Sequence, residues 1–307
     1  MPTPQAAIFP APAAHHLFLE YALPGLNAPP GDAAEARAVK AALGEARRWL
    51  AGQAGVGHVL AFGPGAWAAL APGSVPAGLQ PFRPLLGRGG KRVPATQHDL
   101  WWWLSGGAAG RLLAAGLELN RRLAPWATLR LEQAGFTYLD SRDLTGFVDG
   151  TANPGPEEAP TVALVPAGQP GAGGSHVLAM RWLHDLAAFH ALPTREQERV
   201  IGRGKADSEE LSGADMPADA HVSRMEIEQD GEELAIHRRS VPFGGVNEHG
   251  LMFVAFAHEP ARYDLMLRRM YGLDADGLED RLTNYSRPTH AAYYFAPSEE
   301  DLAATLG

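Results

Sequence analysis

Alternating and periodic apolar positions divide this chain into two rounds of the same element order. Leu17-Phe18-Leu19-Glu20-Tyr21-Ala22-Leu23 reads as a first strand, and Pro24 to Asp32 as a turn-rich connection. Helical spacing runs from Ala33 to Gln53, with Ala38, Ala41, Leu43 and Leu50 among the helix formers, and Asp32-Ala33-Ala34-Glu35 fits a capped start. A second strand, His58 to Phe62, ends at Gly63-Pro64-Gly65, ahead of a short helix from Ala66 to Leu70. Pro76 to Pro94 is loop-like, and its basic run Arg88-Gly89-Gly90-Lys91-Arg92 reads as a solvated loop. Asp99-Leu100-Trp101-Trp102-Trp103-Leu104 is apolar enough for a buried strand. Ala108 to Leu123 follows as a second long helix, and Ala127 to Ser141 brings in a fourth strand.

Strand, helix, strand, strand, helix, strand is the split β-α-β order of a ferredoxin-like unit. The second half repeats it. Val177 to Trp182 is a strand, and Leu183 to Ile201 is helical despite Pro193. Val222 to Glu228 and Glu233 to Arg239 form a hairpin around Asp230-Gly231. Leu251 to Ala257 is a strand, Pro260 to Tyr271 a helix, and Ala291 to Phe295 a last strand. The Pro- and Gly-rich stretch from Asn153 to Pro170 separates the halves. The expected fold is therefore α+β: two ferredoxin-like units, residues 1–155 and 156–307, with packed antiparallel sheets.

Composition narrows the function. The chain has 307 residues, 46% of them hydrophobic, ample for a sizeable core. A net charge of -9 argues against nucleic acid as a partner. Without cysteine, disulfides, thiolate metal sites and cysteine nucleophiles are excluded, so any metal must be held by His, carboxylate or Tyr. Met1 to Ala14 carries no Lys or Arg, so it lacks the basic region of a secretory signal and the paired arginines of a twin-arginine signal. No apolar run approaches membrane-spanning length. A soluble, cytoplasmic protein is expected.

Two stretches carry candidate chemistry. In Gly146-Phe147-Val148-Asp149-Gly150-Thr151-Ala152-Asn153-Pro154, one acid sits between two glycines that permit angles a Cβ would forbid. Phe147 and Val148 pin the loop to a core, so Asp149 reads either as a candidate catalytic group or as an acid that caps its own turn. In the hairpin, alternation puts His221, Ser223, Met225 and Ile227 on one face and Arg224, Glu226 and Glu228 on a wet one. On the return strand Arg238 shares a face with Leu234, Ile236 and Ser240, whereas Arg239 points the other way. A guanidinium on an apolar face needs an anionic or strongly polar partner, so Arg238 is the functional candidate of the two.

Taken together these stretches resemble the dye-decolorising peroxidases, haem enzymes with a Gly-x-x-Asp-Gly signature. Gly146 to Gly150 matches that signature. His221-Val222-Ser223-Arg224 is similar to the segment bearing the proximal haem histidine, and Ile236-His237-Arg238-Arg239-Ser240-Val241-Pro242-Phe243-Gly244 to the distal arginine segment. The family arginine lies four residues before the Pro of the Pro-aromatic-Gly turn, which again selects Arg238. Ile201-Gly202-Arg203-Gly204-Lys205, Pro94 to Leu100 and Leu267 to Met270 also match in type and order. The compact length is most like the bacterial B-type branch.

The resemblance implies a fold of the dimeric α+β barrel type with one haem b per chain, held in the second unit. It implies a haem-dependent peroxidase that reduces hydrogen peroxide and oxidises dyes, phenols or similar aromatic donors in one-electron steps through a ferryl intermediate. Its runner-up is a haem-handling protein for storage, transfer or iron release. A hydrolase with Asp149 as general base ranks last, because no paired nucleophile or second acid stands in a recognisable motif.

His221 is then the iron ligand, Asp149 and Arg238 the catalytic pair, and Ser240 the holder of a distal water. Arg203, Arg238, Phe243 and Phe253 border the cofactor, with Met252 a further apolar wall. Relatives carry an acid after the last helix that hydrogen-bonds the proximal histidine. Asn284 stands where that acid is expected, with Asp280 the alternative, and an amide there would make the iron less biased toward its oxidised states. Arg238 beside Asp149 should lower the acid's pKa and carry activity into mildly acidic pH. Trp182, Tyr271 and Tyr285 are candidate relays for surface oxidation, whereas Trp101-Trp102-Trp103 reads as core. Some relatives carry a longer tail that directs them into encapsulin shells. None is evident here, so shell packaging is not expected, and a homo-oligomer is allowed for.

Overall fold

The computed structural model of the protein describes residues 2–9, 13–26, 33–229 and 231–307. The cap expected at Asp32 and the hairpin turn at Asp230 lie outside the described residues. The strands are β1 (His15–Ala22), β2 (Val56–Phe62), β3 (Leu100–Gly106), β4 (Thr128–Phe136), β5 (Ser175–His184), β6 (His237–Arg238), β7 (Val241–Gly244), β8 (His249–Ala257) and β9 (Ser286–Ala296). The helices that matter to the site and its scaffold are α1 (Ala33–Ala51), α2 (Ala109–Leu123), α3 (Thr194–Ile201), α4 (His221–Met225), α5 (Ala261–Met270) and α6 (Glu299–Leu306).

One antiparallel sheet runs β6-β8-β5-β9-β2-β3-β1-β4, with β7 also on β8. Read within each half, both units have the ferredoxin-like order: fourth strand, first, third, second. The two half-sheets meet edge to edge through the single pair Phe295 and Phe62. The far edges also approach each other. A Cβ on Gly135 of β4 would meet Val241 and Pro242 of β7 at 2.8 and 3.2 Å, and Arg181 Nε of β5 donates to Gln133 Oε1 of β4. The sheet thus curls toward a barrel, which leaves few strand edges open.

Strand alternation decides what faces inward. Phe18, Val59, Trp101, Trp103, Val177, Val254, Phe256 and Tyr294 fill the barrel. The opposite faces of β1, β2 and β3 carry Leu17, Leu19, Leu60 and Trp102, and pack under α1, α2 and α6. In α1 the buried apolar side chains are Val39, Leu43, Ala46 and Leu50, the spacing of one helix face. The tryptophan run is core, as the sequence indicates.

Close packing is tightest where β8 crosses β5. A Cβ on Gly250 would fall 1.8 Å from the carbonyl oxygen of Trp182, a backbone atom that cannot swing aside. Gly250→Ala is expected to lower unfolding stability by at least about 1–3 kcal/mol in denaturant titration. An unchanged midpoint would contradict the register Gly250 to Leu183.

Two elements differ from the sequence reading. The helix expected over 183–201 is two helices, Leu186–His190 and α3, because Pro193 has no N–H to continue the first. The strand expected from residue 222 is the short helix α4. The wet face that suggested a strand does not exist at Arg224, which is 1% exposed. Its guanidinium donates to Asp276 at 2.6 and 3.2 Å and to the carbonyl of Arg269 at 3.0 Å. Only the pair Glu228–Gln229 with Glu232–Glu233 remains of the hairpin.

Candidate active site

A cavity of about 430 Å³ lies in the second unit, between the outer face of its sheet and α4 and α5. Leu178, Met180 and Trp182 of β5 and Leu251 and Phe253 of β8 form its apolar floor, and Met266, Leu267 and Met270 of α5 its roof. His221 of α4, Arg238 of β6, Asp149 of the signature loop and Arg203 all line it.

The local folding of each stretch explains this meeting. Gly146 and Gly150 adopt φ of 93° and 84°, which turns the loop back on itself, and Asp149 N–H donates to the carbonyl of Ser141 at 3.0 Å. Arg142 then ties the loop to the stretch after α3, donating to the carbonyls of Gly146 and Lys205, both at 2.8 Å. Asn153 fastens the other end. Its side-chain nitrogen donates to the carbonyl of Arg238, and its oxygen accepts from the Arg238 N–H, both at 2.9 Å. The loop carrying the acid and the strand carrying the cation are thereby held in one register. Asn153→Ala should cut turnover by about 10-fold or more while bound cofactor stays constant, since misplacement alone carries such costs. Unchanged steady-state rates would count against the clamp.

On α4, His221 Nδ1 lies 2.6 Å from Asp280 Oδ2, and Asp280 is fully buried. The other carboxylate oxygen accepts from Leu282 N–H at 2.8 Å, capping a short 3₁₀ turn. An ionised carboxylate only accepts, so Nδ1 carries the proton and Nε2 presents its lone pair as a ligand. This corrects the assignment of Asn284. That residue is exposed, accepts from Lys91 Nζ at 2.7 Å, and does not line the cavity. The basic loop expected to be merely solvated is tied down here, with Lys91 also 3.2 Å from Glu279.

Other expectations divide along the strands. Phe253 lines the cavity. Phe243 and Met252 point into the barrel instead, with Arg181 4.4 Å above the Phe243 ring. Ser240 also lies off the cavity lining, in the break between β6 and β7, and accepts from Val254 N–H at 3.4 Å. Arg239 faces away from the cavity, its guanidinium 5.2 Å from the Trp103 ring, where burial lowers its pKa to about 10. Of the relay candidates, Trp182 and Tyr271 are buried, and Tyr285 is partly exposed against Phe189.

A model of the family described as "Dyp-type peroxidase, C-terminal" matches residues 140–301. The chain is 34% identical over 252 residues to a dye-decolorizing peroxidase of Rhodococcus erythropolis, covering 81% of this chain and 74% of that one. The chain belongs to the Dyp-type peroxidases. Solved structures agree. DyPB from Rhodococcus jostii superposes with a TM-score of 0.86 at 35% identity, over 98% of this chain and 97% of that one. A dye-decolorizing protein from Vibrio cholerae gives 0.85 at 35%, over 97% and 98%. A DypB variant similar to this chain, at 35% identity and a TM-score of 0.86 over 99% of both chains, was solved in complex with heme.

In this Dyp-type peroxidase the electrostatics of Asp149 differ from the sequence expectation. Burial pushes its pKa up; Arg238 pulls it down, Asp143 pushes it up further, and the net direction is upward. A base must be ionised, so peroxide reduction should fall as pH drops through this raised pKa, above the range near 4 of an ordinary carboxyl. The pH profile of the peroxide-reduction rate in folded, cofactor-loaded enzyme checks this, and Asp149→Asn should abolish the limb. A limb at or below about pH 4 would restore the opposite sign.

The sequence reading also missed a second acid and imidazole on the cavity wall. Asp143 Oδ1 lies 3.1 Å from His184 Nε2, and His184 Nδ1 lies 2.8 Å from Ser286 Oγ. Burial raises the Asp143 pKa, but the bonds from His184 and Thr145 outweigh it and hold the carboxyl low. The one visible signal was Asp143 standing six residues before Asp149 in the same loop.

Proposed function

We propose that this haem-dependent peroxidase holds haem b in the cavity of its second unit, with His221 as the residue that would hold its iron, and reduces hydrogen peroxide there at the expense of organic donors such as dyes and phenols. The observation that carries the reading is the His221–Asp280 pair, a buried carboxylate that leaves a neutral imidazole nitrogen facing an apolar cavity shared with Asp149 and Arg238. The residues fit the cofactor. The walls are largely apolar, His221 turns Nε2 to the cavity while both ring nitrogens of His184 are engaged by Asp143 and Ser286, and Arg203, paired with Glu210 at 2.7 Å, supplies a polar rim.

When bound, haem supplies the redox-active iron on which peroxide is reduced. Asp149 would accept the proton of the incoming peroxide and return it to the departing oxygen. Arg238 would provide positive charge as the O–O bond breaks, from a backbone that Asn153 holds in place. Met180, Trp182, Phe253 and Met266 supply apolar wall in the same cavity as both groups.

Among the described residues no helix is long and apolar enough to cross a membrane. We place the enzyme in the cytoplasm, where a chain without cysteine loses nothing to reducing conditions. The division at residues 155 and 156 belongs to the same proposal, although the loop before it, with Asp149, builds the cavity of the second unit.

The test is an absorption spectrum of purified protein supplied with haem, followed by stoichiometric hydrogen peroxide. A Soret band that shifts within seconds supports the reading. A Soret band indifferent to peroxide would favour haem handling, and the absence of any band would remove His221 as a ligand.

A further inference from the structure

At one end of the barrel, on the opposite face of the sheet from the cavity, three metal-ligating side chains converge. Glu20 comes from β1, His98 from the segment leading into β3, and His290 from β9. One ligand atom from each lies within 4.8 Å of the other two. Glu20 is 0% and His290 4% exposed.

The hydrogen bonding leaves these groups unfinished. One Glu20 oxygen accepts from Tyr294 O–H at 2.6 Å. The other, Oε1, lies 2.8 Å from His290 Nε2, yet neither atom has an aligned hydrogen-bond partner. On the far side of the ring, His290 Nδ1 sits 2.6 Å from Thr96 Oγ1. That hydroxyl can donate to the carbonyl of Ala291 at 3.3 Å and accepts from Ala291 N–H at 3.0 Å. With its proton directed to the carbonyl, Thr96 receives the Nδ1 proton, and Nε2 turns a lone pair toward the carboxylate. In that arrangement one cation placed between the two buried atoms satisfies both. His98, half-buried, stacks beside His290 with ring centroids 6.0 Å apart and brings a further imidazole to the same point.

We propose that Glu20, His98 and His290 bind a divalent transition-metal ion of the zinc type. Two imidazole nitrogens and a carboxylate oxygen are a common protein donor set for zinc, with a fourth position left for water. Thr96 holds the His290 ring as a carboxylate or carbonyl does in other zinc sites. His98 provides the route in, since the other two ligands are closed off. The ion would clip the first unit, through Glu20 and His98, to the second, through His290, at the seam where their half-sheets join.

The test uses the untagged, haem-loaded full chain, dialysed against chelator and then titrated with zinc chloride. Bound zinc is counted by elemental analysis and thermal unfolding is followed in parallel. About one zinc per chain should survive dialysis, with a raised unfolding temperature. His98→Ala and Glu20→Gln should each weaken zinc binding more than about 100-fold without altering the Soret band. Substoichiometric zinc in the parent protein would overturn the proposal and leave a proton as the shared cation. So would zinc retained equally by His98→Ala, a variant at a half-buried position that keeps the test open if Glu20→Gln does not fold.

Discussion

Replacing Arg238 by leucine is expected to cut kcat/KM for hydrogen peroxide by about 10²–10³-fold, or roughly 3–4 kcal/mol of transition-state stabilisation, while haem content stays the same. Arg238 lines the cavity, and its own backbone, not its charge, is what the structure anchors. Leucine keeps that anchor and the apolar volume, so the loss isolates the guanidinium. The effect should fall on peroxide reduction rather than on oxidation of the organic donor, because the positive charge is needed as the O–O bond breaks. Stopped-flow absorbance with stoichiometric peroxide separates the two. A rate within a few-fold of the parent would shift the burden to Asp149 and to the Asp143–His184 pair on the same wall.

The second large effect concerns Asp280. Asp280→Ala is expected to weaken haem binding by about 10–100-fold, the usual cost of losing the group behind a metal-bound histidine. Both oxygens of Asp280 are used, one on His221 and one on the Leu282 N–H, so alanine frees the imidazole and uncaps the turn together. Asp280→Asn divides these roles. The amide can still orient the ring, but it lends no negative charge, and the ferric/ferrous potential should rise relative to the parent. Spectroelectrochemistry reads this directly. The same measurement on Asn284→Asp should show no comparable shift, because that side chain lies on the surface with Lys91.

Much of this was legible in local pattern. The repeated element order gave the two ferredoxin-like units, and the alternation around Leu234, Ile236 and Arg238 separated Arg238 from Arg239. Alternation failed where its premise failed. Arg224 was read as wet because it is charged, yet it is buried against Asp276, 52 residues away in sequence, and a helix passed for a strand. Ser240 shared the Arg238 face along the chain but bonds with the Val254 N–H off the cavity, and Phe243, expected at the cofactor from the resemblance, packs in the barrel with Val241.

Sequence by itself determined the class of the fold and the excluded chemistries, and brought forward Asp149, His221 and Arg238 as the candidates that line one cavity, because glycine spacing, strand periodicity and motif order are local properties. Tertiary structure alone decided which acid stands behind His221, which way the pKa of Asp149 moves, and that Asn153 clamps Arg238. These depend on burial and on contacts between distant segments. A carboxylate four residues from its expected place differs little along a chain, but only one of the two positions points at the imidazole.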